Sequence, residues 1–129
     1  MCRRYGGGME VKMVRIGIIG LGGISQKHLR ELCGCDNVEV VALCDIDPSA
    51  IERAKEKFCL HRASCYSDYR DLIADPCVEA VEICTPNYLH AQMAIAALEA
   101  GKHVNLEKPV AMSYEEALTI VDAEKKSEE

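Results

Sequence analysis

Short apolar runs alternate with amphipathic segments along most of this chain, and that alternation predicts strand–helix–strand units. Val14–Ile19 reads Val-Arg-Ile-Gly-Ile-Ile, a β-branched run bounded at once by glycine, and predicts the first strand. A helix is expected from Gly22 to Leu32, with Ile24, Leu29 and Leu32 toward a sheet and Lys27, Arg30 and Glu31 toward water. Val38–Cys44 is nearly all apolar, as suits a parallel strand covered on both faces. After Pro48, the spacing of Ile51, Ala54 and Phe58 predicts a second helix, and Ser64–Tyr66 a short third strand. A helical turn over Tyr69–Ala74 stops at Asp75-Pro76, because a residue before proline avoids the α region. Val78–Cys84 predicts a fourth strand, an alanine-rich helix follows over Tyr88–Ala100, and His103–Leu106 predicts a fifth strand. Ser113 and Glu116 make a capping box that opens a last helix, with Leu118 and Val121 on its buried side. Ahead of all this, Met1–Lys12 has no periodicity and reads as a disordered leader or extension, leaving one domain over residues 13–129.

Composition narrows the class. A chain of 129 residues is the size of one domain. No apolar run approaches the roughly 18 residues of a membrane-spanning helix, and no secretory signal opens the chain. The net charge of −6 argues against a nucleic-acid surface. The eight cysteines form no Cys-x-x-Cys pair and are scattered through apolar runs, which fits reduced thiols in a cytoplasmic protein. Cys33-Gly34-Cys35 has no nearby histidine or second pair to complete a metal site, so no metal is expected.

The candidate chemistry begins where the first strand ends. Gly20-Leu21-Gly22-Gly23-Ile24-Ser25 has the Gly-x-Gly-x-x-small spacing of a dinucleotide turn. The first glycine permits the turn, the second removes a side chain where a pyrophosphate approaches, and the small sixth residue lets helix and strand pack closely. Asp45 follows 25 residues after Gly20, at the end of the second strand. A carboxylate there accepts from ribose hydroxyls and repels a 2′-phosphate, and no Arg, Lys or Ser follows it directly; both points favour NAD over NADP. Asp45 or Asp47 could instead cap the helix that begins at Pro48; the expectation is that Asp47 caps and Asp45 is left for the ribose.

Further motifs follow: Thr85-Pro86-Asn87-Tyr88-Leu89-His90 and Glu107-Lys108-Pro109 at later strand ends, and Ala97-Leu98-Glu99-Ala100-Gly101-Lys102-His103-Val104 from the end of a helix into the fifth strand. With these in order, the chain resembles the Gfo/Idh/MocA oxidoreductases from Val14 to its end. The resemblance implies a doubly wound α/β domain, a Rossmann sheet in the strand order 3-2-1-4-5, with NAD as cofactor and NADP less favoured. It implies Gly20, Gly22, Gly23 and Ile24 along the pyrophosphate, Asp45 on the adenosine ribose, and Thr85, Pro86, Asn87 and His90 along the middle of the cofactor. Glu107 and Lys108 would reach the nicotinamide ribose, with Lys108 as the catalytic cation facing the substrate. His90 has a plainer alternative, as a polar residue lying along its helix beside Asn87.

Members of that family continue into a sixth strand and a substrate-binding α/β domain, which supplies the general base and binds a sugar or polyol. Neither is in this sequence, so the expectation is a dinucleotide-binding portion that turns over nothing alone. The alternative is a non-catalytic binding or scaffold module working with a separate chain. With no sixth strand, His103–Leu106 would be a sheet edge, which favours homo-oligomer formation.

Overall fold

The structure, a computed structural model, describes residues 3–5, 9–11, 13–85, 89–106 and 114–127. Two short strands, β1 (Arg3–Tyr5) and β2 (Met9–Val11), pair antiparallel, with Arg4 opposite Glu10. These residues form a two-stranded ladder apart from the main sheet; so short a pairing carries no periodicity that a sequence pattern can register.

The main sheet is built from β3 (Val14–Ile19), β4 (Val38–Cys44), β5 (Ser64–Tyr66), β6 (Ala80–Ile83) and β7 (His103–Leu106). All its pairs are parallel, and the order β5-β4-β3-β6-β7 is the expected 3-2-1-4-5. The connections carry α1 (Gly23–Cys33), α2 (Pro48–Lys57), α3 (Tyr69–Ile73) and α4 (His90–Glu99), and α5 (Tyr114–Ser127) follows β7. Chain reversal on either side of β3 puts helices on both faces, because parallel crossovers keep one hand.

Two apolar layers result. Ile16, Ile18, Val40 and Leu43 pack with Leu29 of α1 and Ile51 and Ala54 of α2. Ile19, Ala42, Val81 and Ile83 pack with Leu72 of α3, Met93, Ala94 and Ala97 of α4, and Ile120 and Ala123 of α5. Gly17 belongs to this packing, since a Cβ there would lie 2.7 Å from Leu72 Cδ2. The buried face of α5 is a correction: it presents Ile120 and Ala123, whereas Val121 is 47% exposed. The run Leu118-Thr119-Ile120-Val121 supports two overlapping stripes, and contact with α4 selects the one through Ile120. Ser113 of the expected capping box lies outside the described residues.

Candidate functional site

The carboxyl ends of β3, β4, β5 and β6 converge at one end of the sheet, and the turn after β3 occupies their centre. Gly20 N–H donates to the Cys44 carbonyl at 2.8 Å, and Cys84 N–H to the Ile19 carbonyl at 2.8 Å, so the turn is fastened to both neighbouring strands. Gly20 has φ +91°, and an added Cβ would lie 2.9 Å from the Cys84 carbonyl carbon, the Thr85 nitrogen and Thr85 Cγ2. Glycine is required there by conformation and by space together.

The next glycines differ. A Cβ on Gly22 or Gly23 would meet nothing within 4 Å. Gly22 is the N-cap of α1, and no side chain caps that end. Ser25 N–H donates to the Gly22 carbonyl at 3.2 Å, and the start of the helix, which includes Ile24, opens at the two glycines onto free space with the positive end of the helix dipole behind it. Ser25 is fully buried and donates from Oγ to the Gly22 carbonyl at 2.6 Å, holding the turn against the helix. Small size and a hydroxyl are both used at this sixth position.

Asp45 stands beside the turn, half-buried. Its Oδ2 accepts from Leu21 N–H at 2.8 Å and its Oδ1 from Asp47 N–H at 2.9 Å. Both oxygens are pinned by backbone donors while each keeps a further lone pair for a ligand hydroxyl. Asp47 caps α2 as expected, accepting from Ser49 N–H at 3.0 Å. The two acids two residues apart therefore do different work.

A cavity of about 320 Å³ opens next to Asp45, lined by Gly20, Ile46, Asp68, Tyr69, Arg70 and Met93 among others. Ile46, 90% exposed, stands at its margin as a large apolar surface with nothing packed on it. Asp68 caps α3, accepting from Arg70 N–H at 2.9 Å; that bond, more than the guanidinium, holds its carboxyl below the usual carboxylate range. Arg70 lies over the Tyr69 ring at 5.6 Å. Sequence reasoning passed over Ile46 and the Ser67–Arg70 segment. The available signal was β5 itself: the residues after any parallel strand of such a sheet face the ligand crevice.

Thr85, just past β6, donates from Oγ1 to Met93 Sδ at 3.3 Å. His90 is 1% exposed, and its Nε2 lies 2.7 Å from the Thr85 carbonyl. A carbonyl only accepts, so Nε2 carries the proton. The ring offers almost no surface to a ligand; it holds the strand end from behind. Pro86, Asn87, Glu107 and Lys108 lie outside the described residues. Gly20, Gly22, Gly23, Ile24, Asp45 and Thr85 are brought to one end of the sheet. Among the described residues no group of three or more His, Cys, Asp or Glu is placed to hold a metal, and no helix is long and apolar enough to cross a membrane.

Comparison with known proteins agrees with this fold. The Gfo/Idh/MocA family model, an oxidoreductase family with an NAD-binding Rossmann fold, matches residues 14–129. An inositol 2-dehydrogenase/D-chiro-inositol 3-dehydrogenase of Lactiplantibacillus plantarum is 40% identical over 118 residues, which are 91% of this chain and 33% of the relative. A solved scyllo-inositol dehydrogenase from Lactobacillus casei with bound NAD(H) and scyllo-inositol superposes with a TM-score of 0.84 at 26% identity, covering 91% of this chain and 34% of that one. The WlbA dehydrogenase from Bordetella pertussis, solved with NADH and UDP-GlcNAcA, gives 0.83 at 31% identity over 91% of this chain and 35% of the other. The chain thus spans about a third of the length of the relatives it matches.

Proposed function

The chain belongs to the Gfo/Idh/MocA oxidoreductase family as its NAD-binding Rossmann domain, and from that premise we propose how it holds the cofactor and which reaction the whole protein performs. The pyrophosphate lies along Gly20, Gly22, Gly23 and the first turn of α1. The adenosine ribose sits on Asp45, and the adenine enters the cavity between Ile46 and the Tyr69–Arg70 corner. The observation that carries this reading is the doubly pinned Asp45 carboxylate beside a turn whose second and third glycines face open space.

Asp45 cannot swing away from a 2′-phosphate, because both its oxygens are held. A unit charge pair about 5 Å apart near a protein surface repels by about 3 kcal/mol at an effective dielectric of about 20. That corresponds to a preference for NAD over NADP of roughly a hundredfold.

Bound nicotinamide supplies a hydride acceptor, and the reaction we infer for the whole protein is hydride exchange with a secondary alcohol of a sugar or cyclic polyol. His90 positions the end of β6 through Thr85. By family resemblance Glu107 and Lys108 reach the nicotinamide ribose, and an ammonium at Lys108 would polarise the substrate oxygen. By the same resemblance the general base of the whole protein belongs to its substrate domain. A cytoplasmic location fits its reduced thiols. Among the described residues no strand lies outside β7, and that edge is where a second copy or a further segment would pair.

Calorimetric titration with NAD and with NADP tests the binding reading. NAD binding with NADP weaker by at least tenfold is expected; NADP binding as tightly as NAD would overturn the role of Asp45. A longer form with the substrate domain should reduce NAD in the presence of a cyclic polyol, and Lys108→Ala should lower its kcat far more than its NAD affinity.

A further inference from the structure

At the other end of the sheet from the glycine turn, a second cavity of about 410 Å³ lies by the carboxyl ends of α1 and α2, lined by Cys33, Val38, Phe58, Cys59, His61 and Arg62 among others. Cys33 is the last residue of α1, Cys59 comes two residues after α2, and both are exposed.

The backbone at Cys59 is unusual for its residue type. α2 ends at Lys57, and Leu60 N–H folds back onto the Lys55 carbonyl at 2.9 Å, the closure of a Schellman turn. Between them Cys59 takes φ +56°, and it is the only non-glycine residue with positive φ among the described residues. Glycine ordinarily fills this position because a Cβ is strained there. A thiol is thus held at the helix end against a steric cost, beside a cavity that a second thiol also lines.

Other described thiols are placed differently. Cys35 donates from Sγ to the Glu31 carbonyl at 3.3 Å, Cys65 to the Ala63 carbonyl at 3.6 Å, and Cys44 is buried in the sheet. Cys33 and Cys59 are brought together as two walls of one cavity, and burial first, then the charge of Cys59, push the Cys33 thiol up.

We propose that Cys33 and Cys59 are a redox-responsive thiol pair that a disulfide oxidant closes into one intramolecular bond, tying the end of α1 to the end of α2. With oxidised glutathione, the Cys59 thiolate attacks one sulfur and expels a glutathione thiolate. The Cys33 thiolate then attacks Cys59 Sγ in the mixed disulfide, forming the Cys33–Cys59 bond and expelling the second glutathione. Two protein thiols lose two electrons, one oxidised glutathione becomes two reduced ones, and the two protein protons end on them. Disulfide geometry requires Cα atoms about 4.4–6.8 Å apart, so the bond reports on the approach of the two helix ends. The 11 residues of α1 put about 16 Å between Cys33 and the glycine turn, which leaves the cofactor end outside the link.

The test is equilibration of the reduced native chain in mixtures of oxidised and reduced glutathione, acid quenching, and peptide mapping by mass spectrometry. The expected product has lost about 2 Da and gives one linked peptide pair containing Cys33 and Cys59. Cys35→Ser should keep that link, whereas Cys33→Ser should leave Cys59 as its glutathione adduct. Linkage of Cys59 to Cys35 or to any other cysteine, or glutathione adducts alone on Cys33 and Cys59, would overturn the proposal. If Cys33→Ser does not fold by circular dichroism, the wild-type and Cys35→Ser maps still decide.

Discussion

Alanine at Gly22 and alanine at Gly20 should separate binding from folding within a single turn. At Gly20 the new methyl meets backbone of Cys84 and Thr85 at 2.9 Å, and φ is +91°. The left-handed conformation costs an alanine about 1–2 kcal/mol, and forcing a methyl into packed backbone adds about 1–3 kcal/mol. A loss of about 2–5 kcal/mol follows, against a total of about 5–15 kcal/mol for a domain of this kind. At Gly22 φ is −76° and ψ −166°, open to any residue, and the methyl meets nothing within 4 Å. Alanine at an N-cap in place of glycine costs only about 0.5–1 kcal/mol. In the proposed site, however, the same methyl would project where the pyrophosphate approaches; losing one charge-assisted hydrogen bond of about 1.5–3 kcal/mol should weaken NAD roughly 10- to 100-fold. Urea unfolding followed by circular dichroism gives the stabilities, and calorimetry gives the NAD affinities. Gly22→Ala binding NAD like the wild type, or Gly20→Ala folding as stably as Gly22→Ala, would refute the reasoning.

Three further outcomes test other parts of the structure. In reducing buffer Cys59→Gly should stabilise the chain by about 0.5–1 kcal/mol in urea unfolding, because the left-handed strain at φ +56° disappears. Lys102→Met should cost about 1–3 kcal/mol, because Lys102 Nζ donates to the Asp75 carbonyl at 3.0 Å and the Val78 carbonyl at 2.6 Å; the Val78 carbonyl would lose that donor, while the Asp75 carbonyl would keep only Val78 N–H at 3.1 Å. Burial, and after it the charge of Asp45, push the Cys44 thiol up to about 12; since only the thiolate reacts, native alkylation near pH 8 should label exposed Cys77 and spare Cys44, a pattern read by peptide mapping.

Much of this arrangement was legible because its signals are local. The β-branched run before Gly20, the near-continuous apolar stretch Val38–Cys44, the helix start at Pro48 and the helix stop at Gly101 each carry their own physics, and the strand order followed from resemblance. Asp45 and Asp47 could be told apart because a proline at the first helical position marks the residue before it as the cap. What escaped was set by tertiary contact. The choice of Ile120 over Val121 depends on where α4 lies. His90 reads as polar and ligand-facing until the sheet end folds over it and the Thr85 carbonyl accepts a hydrogen bond from its Nε2–H. Ile46 and Tyr69 become parts of one cavity only when β4 and β5 pair, through three residue pairs that leave little trace in the sequence.

The central claim, that NAD lies across the carboxyl ends of β3, β4 and β5 with its ribose on Asp45, is tested most directly by following the backbone amides in an NMR titration with NAD. The largest shifts should fall on Leu21–Ser25, Asp45–Asp47 and Ser67–Arg70, with the amides around Cys33, Cys59 and His61 unmoved. Shifts concentrated at the second cavity, or none in the glycine turn at saturating NAD, would contradict it.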